Sequence, residues 1–146
     1  MSRLAFLHDV PLFAEAGLDD LVAVDHALAS ETYLAGEAIV TEGDSGDRLC
    51  IVYRGEVLVR KGGRVLARLA AGDFFGEMAL FDDEPRSATV IAVGEVEVVA
   101  LQRDRFHSLV QQRPSILMQL CTTLVRRLRH AEQETPAAAP PLEAAG

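Results

Sequence analysis

Residues 72–90 read GDFFGEMALFDDEPRSATV, from Gly72 to Val90, and the reading of the whole chain turns on this stretch. A β-strand ends at a glycine turn, and Gly76-Glu77-Met78-Ala79-Leu80 has the pattern of one or two turns of helix opening on a glycine. The N–H groups at such a helix start lack intrahelical acceptors and carry partial positive charge, so they make a seat for an anion. Ten residues on, Arg86 follows Pro85 and precedes the small residues Ser87 and Ala88. An arginine fork facing that helix start supplies full charge and paired donors, which suits a phosphate diester. Glu77 would repel an anion, unless the ligand also carries hydroxyl groups that a fixed carboxylate can accept from. The pair Glu77 and Arg86 therefore fits a sugar phosphate, the acid taking the sugar and the guanidinium the phosphate.

Outward from this segment, residues 30–102 hold short runs rich in β-branched residues: Leu49 to Tyr53, Val57 to Arg60, Val65 to Leu69, Thr89 to Val93 and Val96 to Leu101. Gly36, Gly43-Asp44, Gly46, Gly55, Gly62-Gly63, Gly72 and Gly94 fall between them. Short half-buried strands at this spacing, punctuated by residues tolerant of positive φ, predict an antiparallel roll or barrel.

On both flanks the period becomes helical. Leu4, Phe6, Leu7, Leu12 and Phe13 surround Pro11, and Leu18, Leu21, Val22 and Leu28 follow Gly17, which predicts two short helices within 3–29. After Gln102, Asp104 is expected to cap a helix burying Phe106, Leu109 and Val110. Pro114 suits the first turn of a last helix, whose stripe comprises Ile116, Leu117, Leu120, Cys121, Leu124, Leu128 and Ala131. The C-terminal helices are thus expected over 103–134, completing one domain over 1–134. The Pro- and Ala-rich residues 135–146 are expected to be disordered.

The 146 residues suit one domain, and their net charge of −8 argues against a broad nucleic-acid surface, so no direct nucleic-acid binding is expected. No apolar run is long enough to span a membrane and no signal peptide opens the chain, so a cytoplasmic protein is expected. Cys50 and Cys121 match neither a disulfide framework nor a metal knuckle and are expected to be small buried residues. His8, His26, His107 and His130 show no metal-ligand spacing, so no metal, no cofactor and no catalytic residue is assigned, and the chain is expected not to be an enzyme.

The segment FGEMALFDDEPRSATV resembles the phosphate-binding cassette of cyclic-nucleotide-binding domains, the family of catabolite-activator-type regulators and cyclic-nucleotide-dependent kinases. EGDSGDRLCIVYRGEVLV, residues 42–59, resembles the earlier glycine-marked strands of the same family, and the likeness covers about Leu4 to His130. The resemblance implies a mainly β fold: an eight-stranded antiparallel β-roll of jelly-roll type, with N-terminal helices, a short cassette helix and two C-terminal helices. It implies that Glu77 accepts from the ribose 2′-hydroxyl and Arg86 pairs with the exocyclic phosphate oxygens. It further implies that Gly76 lets the backbone approach the sugar, and that Met78, Ala79 and Ser87 or Ala88 offer backbone N–H groups. Ser87 leaves the base open between cAMP and cGMP, and cAMP is the expected ligand. The last helix often closes over the base in this family, so Arg127, His130, Ala131 or Glu132 would form the lid. Asp82, Asp83 and Glu84 crowd Arg86 with acids, which salt should largely screen. The implied function is a sensor in which the ligand moves the helices after Gln102 about a hinge between Arg103 and Pro114. Its partner would be a second copy paired through the last helix, or an effector domain in another chain. The alternative is a module of the same fold that binds no ligand and serves structure or dimerisation.

Overall fold

Ser2 begins the folded chain as a helix cap, its Oγ accepting from Ala5 N at 3.2 Å. The structure is a computed structural model describing residues 2–82 and 85–134; Met1, Asp83, Glu84 and residues 135–146, on which the expected disordered tail falls, lie outside the described residues. Helix α1 spans Arg3–Asp9, a 3-10 turn spans Pro11–Phe13, and α2 spans Leu18–Ala27 with Asp19 and Asp20 in its first turn, where acids suit the helix dipole. The strands are β1 (Ala29–Tyr33), β2 (Ala38–Val40), β3 (Arg48–Arg54), β4 (Glu56–Lys61), β5 (Arg64–Ala70), β6 (Phe74–Phe75), β7 (Thr89–Ala92) and β8 (Val96–Gln102). A 3-10 helix, Glu77–Leu80, lies between β6 and β7, and α3 (Arg103–Gln112) and α4 (Pro114–Glu134) follow β8.

These strands form two four-stranded antiparallel sheets, in the orders β1-β8-β3-β6 and β2-β7-β4-β5. The mainly β, eight-stranded antiparallel roll with flanking helices is the fold the sequence led us to expect. Strands β3 and β8 are not half-buried, because their sheet has a core on each face. Leu49, Ile51, Val99 and Leu101 pack under the helices with Leu7, Leu21, Phe106 and Ile116. Their alternates Cys50, Val52, Val98 and Ala100 fill the interior of the roll with Val57, Val59, Phe75 and Val90. Each fully buried aliphatic side chain contributes about 1.5–3 kcal/mol of transfer free energy, so this shared sheet ties the helical layer to the roll.

Polar contacts fix the helical layer as a unit. Asp20 of α2 accepts from Arg113 Nη1 at 2.9 Å and from Ser115 Oγ at 2.7 Å, across the turn between α3 and α4. Gln119 Nε2 donates to Leu12 O at 3.0 Å.

Four expectations need correction. Gln102, not Asp104, is the N-cap of α3; Asp104 sits in the first turn, where its charge serves the dipole without capping. Cys121 is exposed, because the core takes the face of Ile116 and Leu120, and the next residue along a helix turns by about 100°. Cys50 is buried as expected, and burial pushes its thiol up to about 12. Among the turn glycines, Gly46 and Gly94 lack positive φ, and β5, expected to be half-buried, is largely exposed along its length.

Candidate functional site

Gly76 places the cassette. It adopts φ 81° and ψ 18°, in the left-handed region, and so turns the chain from β6 directly into the 3-10 helix. A Cβ there would stand 2.2 Å from Arg86 Nη1 and 2.9 Å from Arg48 O, so the position also needs the missing side chain. Gly46 bounds the guanidinium elsewhere: a Cβ on it would lie 3.0 Å from Arg86 Nε and 3.0 Å from Ala79 Cβ. Arg86 thus occupies a slot edged by two glycines. Its backbone is held by the preceding loop, with Arg86 N donating to Asp44 O at 2.7 Å and Gly43 N donating to Arg86 O at 2.9 Å. Its Nη2 donates to Arg48 O at 2.9 Å.

Glu77 and Arg86 are the two charged side chains buried among the described residues, 6% and 5% exposed. No ion pair joins them among these residues, and Glu77 Oε2 and Arg86 Nη1 are both buried without a hydrogen-bond partner. Burial pushes the Glu77 carboxyl up, against the lowering pull of Arg127 and Arg86. Burial likewise pushes the Arg86 guanidinium down, with neighbouring Arg48 adding to the effect. Buried charges are ordinarily paired, so two opposite charges each left with an idle atom are an exception, and they offer one buried acceptor and one buried donor with no use inside the described residues.

The raised Glu77 value has a measurable consequence. Between the ordinary carboxylate value of 4.5 and the raised native value, the native chain binds this proton more tightly than the unfolded chain does. Its contribution to stability is therefore complete below 4.5 and is lost as pH rises through the folded value. Unfolding measured at about pH 5 and about pH 8 should show a larger loss with rising pH in the wild type than in Glu77→Gln, which cannot ionise. Equal pH slopes in the two proteins would contradict the assignment.

The last helix also reaches the cassette. Arg127 Nη1 donates to Glu77 Oε1 at 3.3 Å, and the Arg127 guanidinium lies 4.7 Å from the centre of the Phe74 ring, in cation–π contact. A cavity of about 240 Å³ opens between the cassette and α4, lined by Glu77, Met78, Phe81, Leu124, Val125 and Arg127. A second cavity, of about 130 Å³, meets Arg86 together with Arg48, Thr41, Asp44 and Ser45.

The structure brings Gly76, Glu77 and Arg86 together and adds Arg127. Met78 is 45% exposed at the cassette surface, Ala79 and Ala88 are buried, and Ser87 lies between Arg86 and β7. The Ala79 N–H donates to Gly76 O at 3.1 Å within the tight 3-10 turn, and the N–H groups of Glu77 and Met78 stand ahead of it at the helix start. His130 is exposed on α4, beyond Arg127. The side chain of Glu132 lies outside the described residues. The sequence does not single out Gly46 beyond its turn role, nor Arg48 at all, although both stand in the quoted run 42–59. Nor does it bring Arg103, whose Nε donates to Ala79 O at 2.8 Å, to the site. Among the described residues no cluster of three or more His, Cys, Asp or Glu is placed to hold a metal, and no helix is long and apolar enough to cross a membrane.

A family model described as the cyclic nucleotide-binding domain matches residues 30–113. A cAMP-dependent protein kinase regulatory subunit from Yarrowia lipolytica is 40% identical over 107 residues, which is 72% of this chain and 28% of that protein. The chain therefore spans little more than a quarter of that relative. The N-terminal domain of a transcriptional regulator from Streptomyces coelicolor A3(2) superposes with a TM-score of 0.79 at 31% identity, covering 91% of this chain and 96% of that one. The regulatory domain of Toxoplasma gondii PKA, crystallised with cAMP, superposes with a TM-score of 0.69 at 32% identity, covering 82% of this chain and 48% of that one.

Proposed function

This chain belongs to the cyclic nucleotide-binding domain family, and on that premise we propose that residues 2–134 form a cAMP sensor whose ligand seats between Glu77 and Arg86. The observation carrying this reading is the pair of buried opposite charges, each with an unpartnered atom. The cyclic phosphate would take the idle Nη1 of Arg86, and the ribose 2′-hydroxyl would donate to Oε2 of Glu77. Met78 would supply a backbone N–H, Ser87 and Ala88 would flank the phosphate, and Arg127 would stand at the sugar as part of the lid. The preference for cAMP over cGMP is supported by the relatives whose names carry cAMP.

Ligand binding would act on the helices through Glu77. Its Oε1 is engaged by Arg127 of α4, so a hydroxyl arriving at the same carboxylate changes the contact that holds this helix to the cassette. A ligand shifts the helices only by as much as it favours one of their arrangements, and this shared carboxylate provides such a difference. Met118 (68% exposed), Val125 (49%) and Leu128 (44%), with the exposed Cys121, recur along α4 at three- and four-residue intervals. That spacing is a coiled-coil seam, and the partner we propose for it is a second copy of this chain.

The test is a thermal melt with cAMP, linear AMP as control, accompanied by sedimentation. A ligand that binds only the native state at a hundredfold excess over its Kd adds about 2.7 kcal/mol, a rise in Tm on the order of 10 °C for a domain of this size. No shift with cAMP, nor with cGMP melted alongside it, would leave the ligand-free structural module as the reading. Sedimentation as a monomer at all concentrations would remove the second copy.

A further inference from the structure

Arg103 opens α3, yet its guanidinium reaches back to two carbonyls on different segments of the site. Its Nε donates to Ala79 O of the cassette helix at 2.8 Å, and its Nη2 donates to Gly46 O in the loop before β3. One turn further along the same helix, His107 Nε2 lies 3.2 Å from Leu80 O, a second tie between α3 and the cassette. The segments that Arg103 joins border Arg86: a Cβ added to Gly46 would stand 3.0 Å from Arg86 Nε, 3.2 Å from its Cζ and 3.0 Å from Ala79 Cβ, so there is no room between them to spare. A planar fork bonded to two carbonyls fixes their separation, which a single ammonium cannot do equally well.

We propose that Arg103 is a positioning residue for the anion seat: by bridging Ala79 O and Gly46 O it sets the width of the slot that holds the Arg86 guanidinium. Because it is the first residue of α3, slot width and helix placement become one variable. A ligand that draws on Arg86 is then felt at the start of α3 without touching it. The proposal rests on the reading of Arg86 as the phosphate ligand, and its ligand-free arm below stands apart from that reading.

The experiment titrates cAMP calorimetrically into the wild type, Arg103→Met, Arg86→Lys and the double variant, with thermal melts of each. Arg103→Met should weaken cAMP about tenfold in the wild-type background and by less than about twofold in Arg86→Lys, since there the fork to be positioned is already gone. Equal losses in both backgrounds, or wild-type affinity in Arg103→Met, would overturn the proposal. Arg103→Lys, which keeps the charge and one bond, guards against a variant that does not fold and should show an intermediate loss. Independently of any ligand, the Arg86 Nε–H resonance should exchange slowly with solvent in the wild type and faster in Arg103→Met. Unchanged exchange would refute the positioning role even if the protein bound no cyclic nucleotide, whereas silence of the wild type towards cAMP would count against the function alone.

Discussion

Arg86→Ala is expected to weaken cAMP binding by about 2–5 kcal/mol, roughly thirty- to several-thousand-fold, while changing the stability of the ligand-free protein far less. The two halves of this expectation have one cause. Among the described residues the buried guanidinium donates to Arg48 O and leaves Nη1 without a partner. Removing it forfeits that bond and opens some space, but also removes the desolvation of a charge that Asp47 and Glu77 offset only in part. With a phosphate present, the same removal leaves a buried anion without its countercharge, and the whole cost appears in binding. Calorimetry with cAMP, set beside urea unfolding without it, separates the two. A variant that bound cAMP like the wild type, or that lost several kcal/mol of stability without ligand, would make Arg86 a structural residue. Arg86→Lys should fall between, since an ammonium keeps the charge but not the paired donors.

Sequence reasoning reached the site because its chemistry is local. Gly76, Glu77 and Arg86 lie within eleven consecutive residues, and the types present there have few other uses in combination. It reached the roll because glycine and β-branched residues alternate on the scale of single strands. What it could not reach is set by chain closure over long distances. Arg103 meets Gly46 across 57 residues and does not differ in sequence from the solvated arginine two places on; Arg127 enters the lid set only through the family resemblance, beside three other candidates, and its contact with Glu77 spans 50 residues. The double burial of β3 and β8 is invisible for a related reason. An unbroken apolar run such as Leu49-Cys50-Ile51-Val52 says that both faces are covered, but not that helices cover one and the roll interior the other. Cys121 was misplaced because the apolar stripe drawn on α4 was wider than the face the core could accept.

Gly76→Ala should be the most damaging single-methyl change at the site, and its control is built into the same chain. Gly63 has nearly the same backbone, φ +82 against φ +81, but a Cβ on it would meet nothing within 4 Å. Gly63→Ala therefore carries only the strain of a left-handed residue, roughly 1–2 kcal/mol, and should leave cAMP affinity unchanged. Gly76→Ala carries that strain plus contacts at 2.2 Å with Arg86 Nη1 and 2.9 Å with Arg48 O. The carbonyl belongs to β3, whose pairing with β8 resists movement, so the guanidinium must yield. Once displaced, it no longer faces the phosphate. Urea unfolding should thus show a larger loss for Gly76→Ala than for Gly63→Ala, and calorimetry should show cAMP affinity reduced more than about tenfold in the first alone. Equal affinities in the two variants would mean that the left-handed turn, and not the slot it opens for Arg86, is all that this glycine provides.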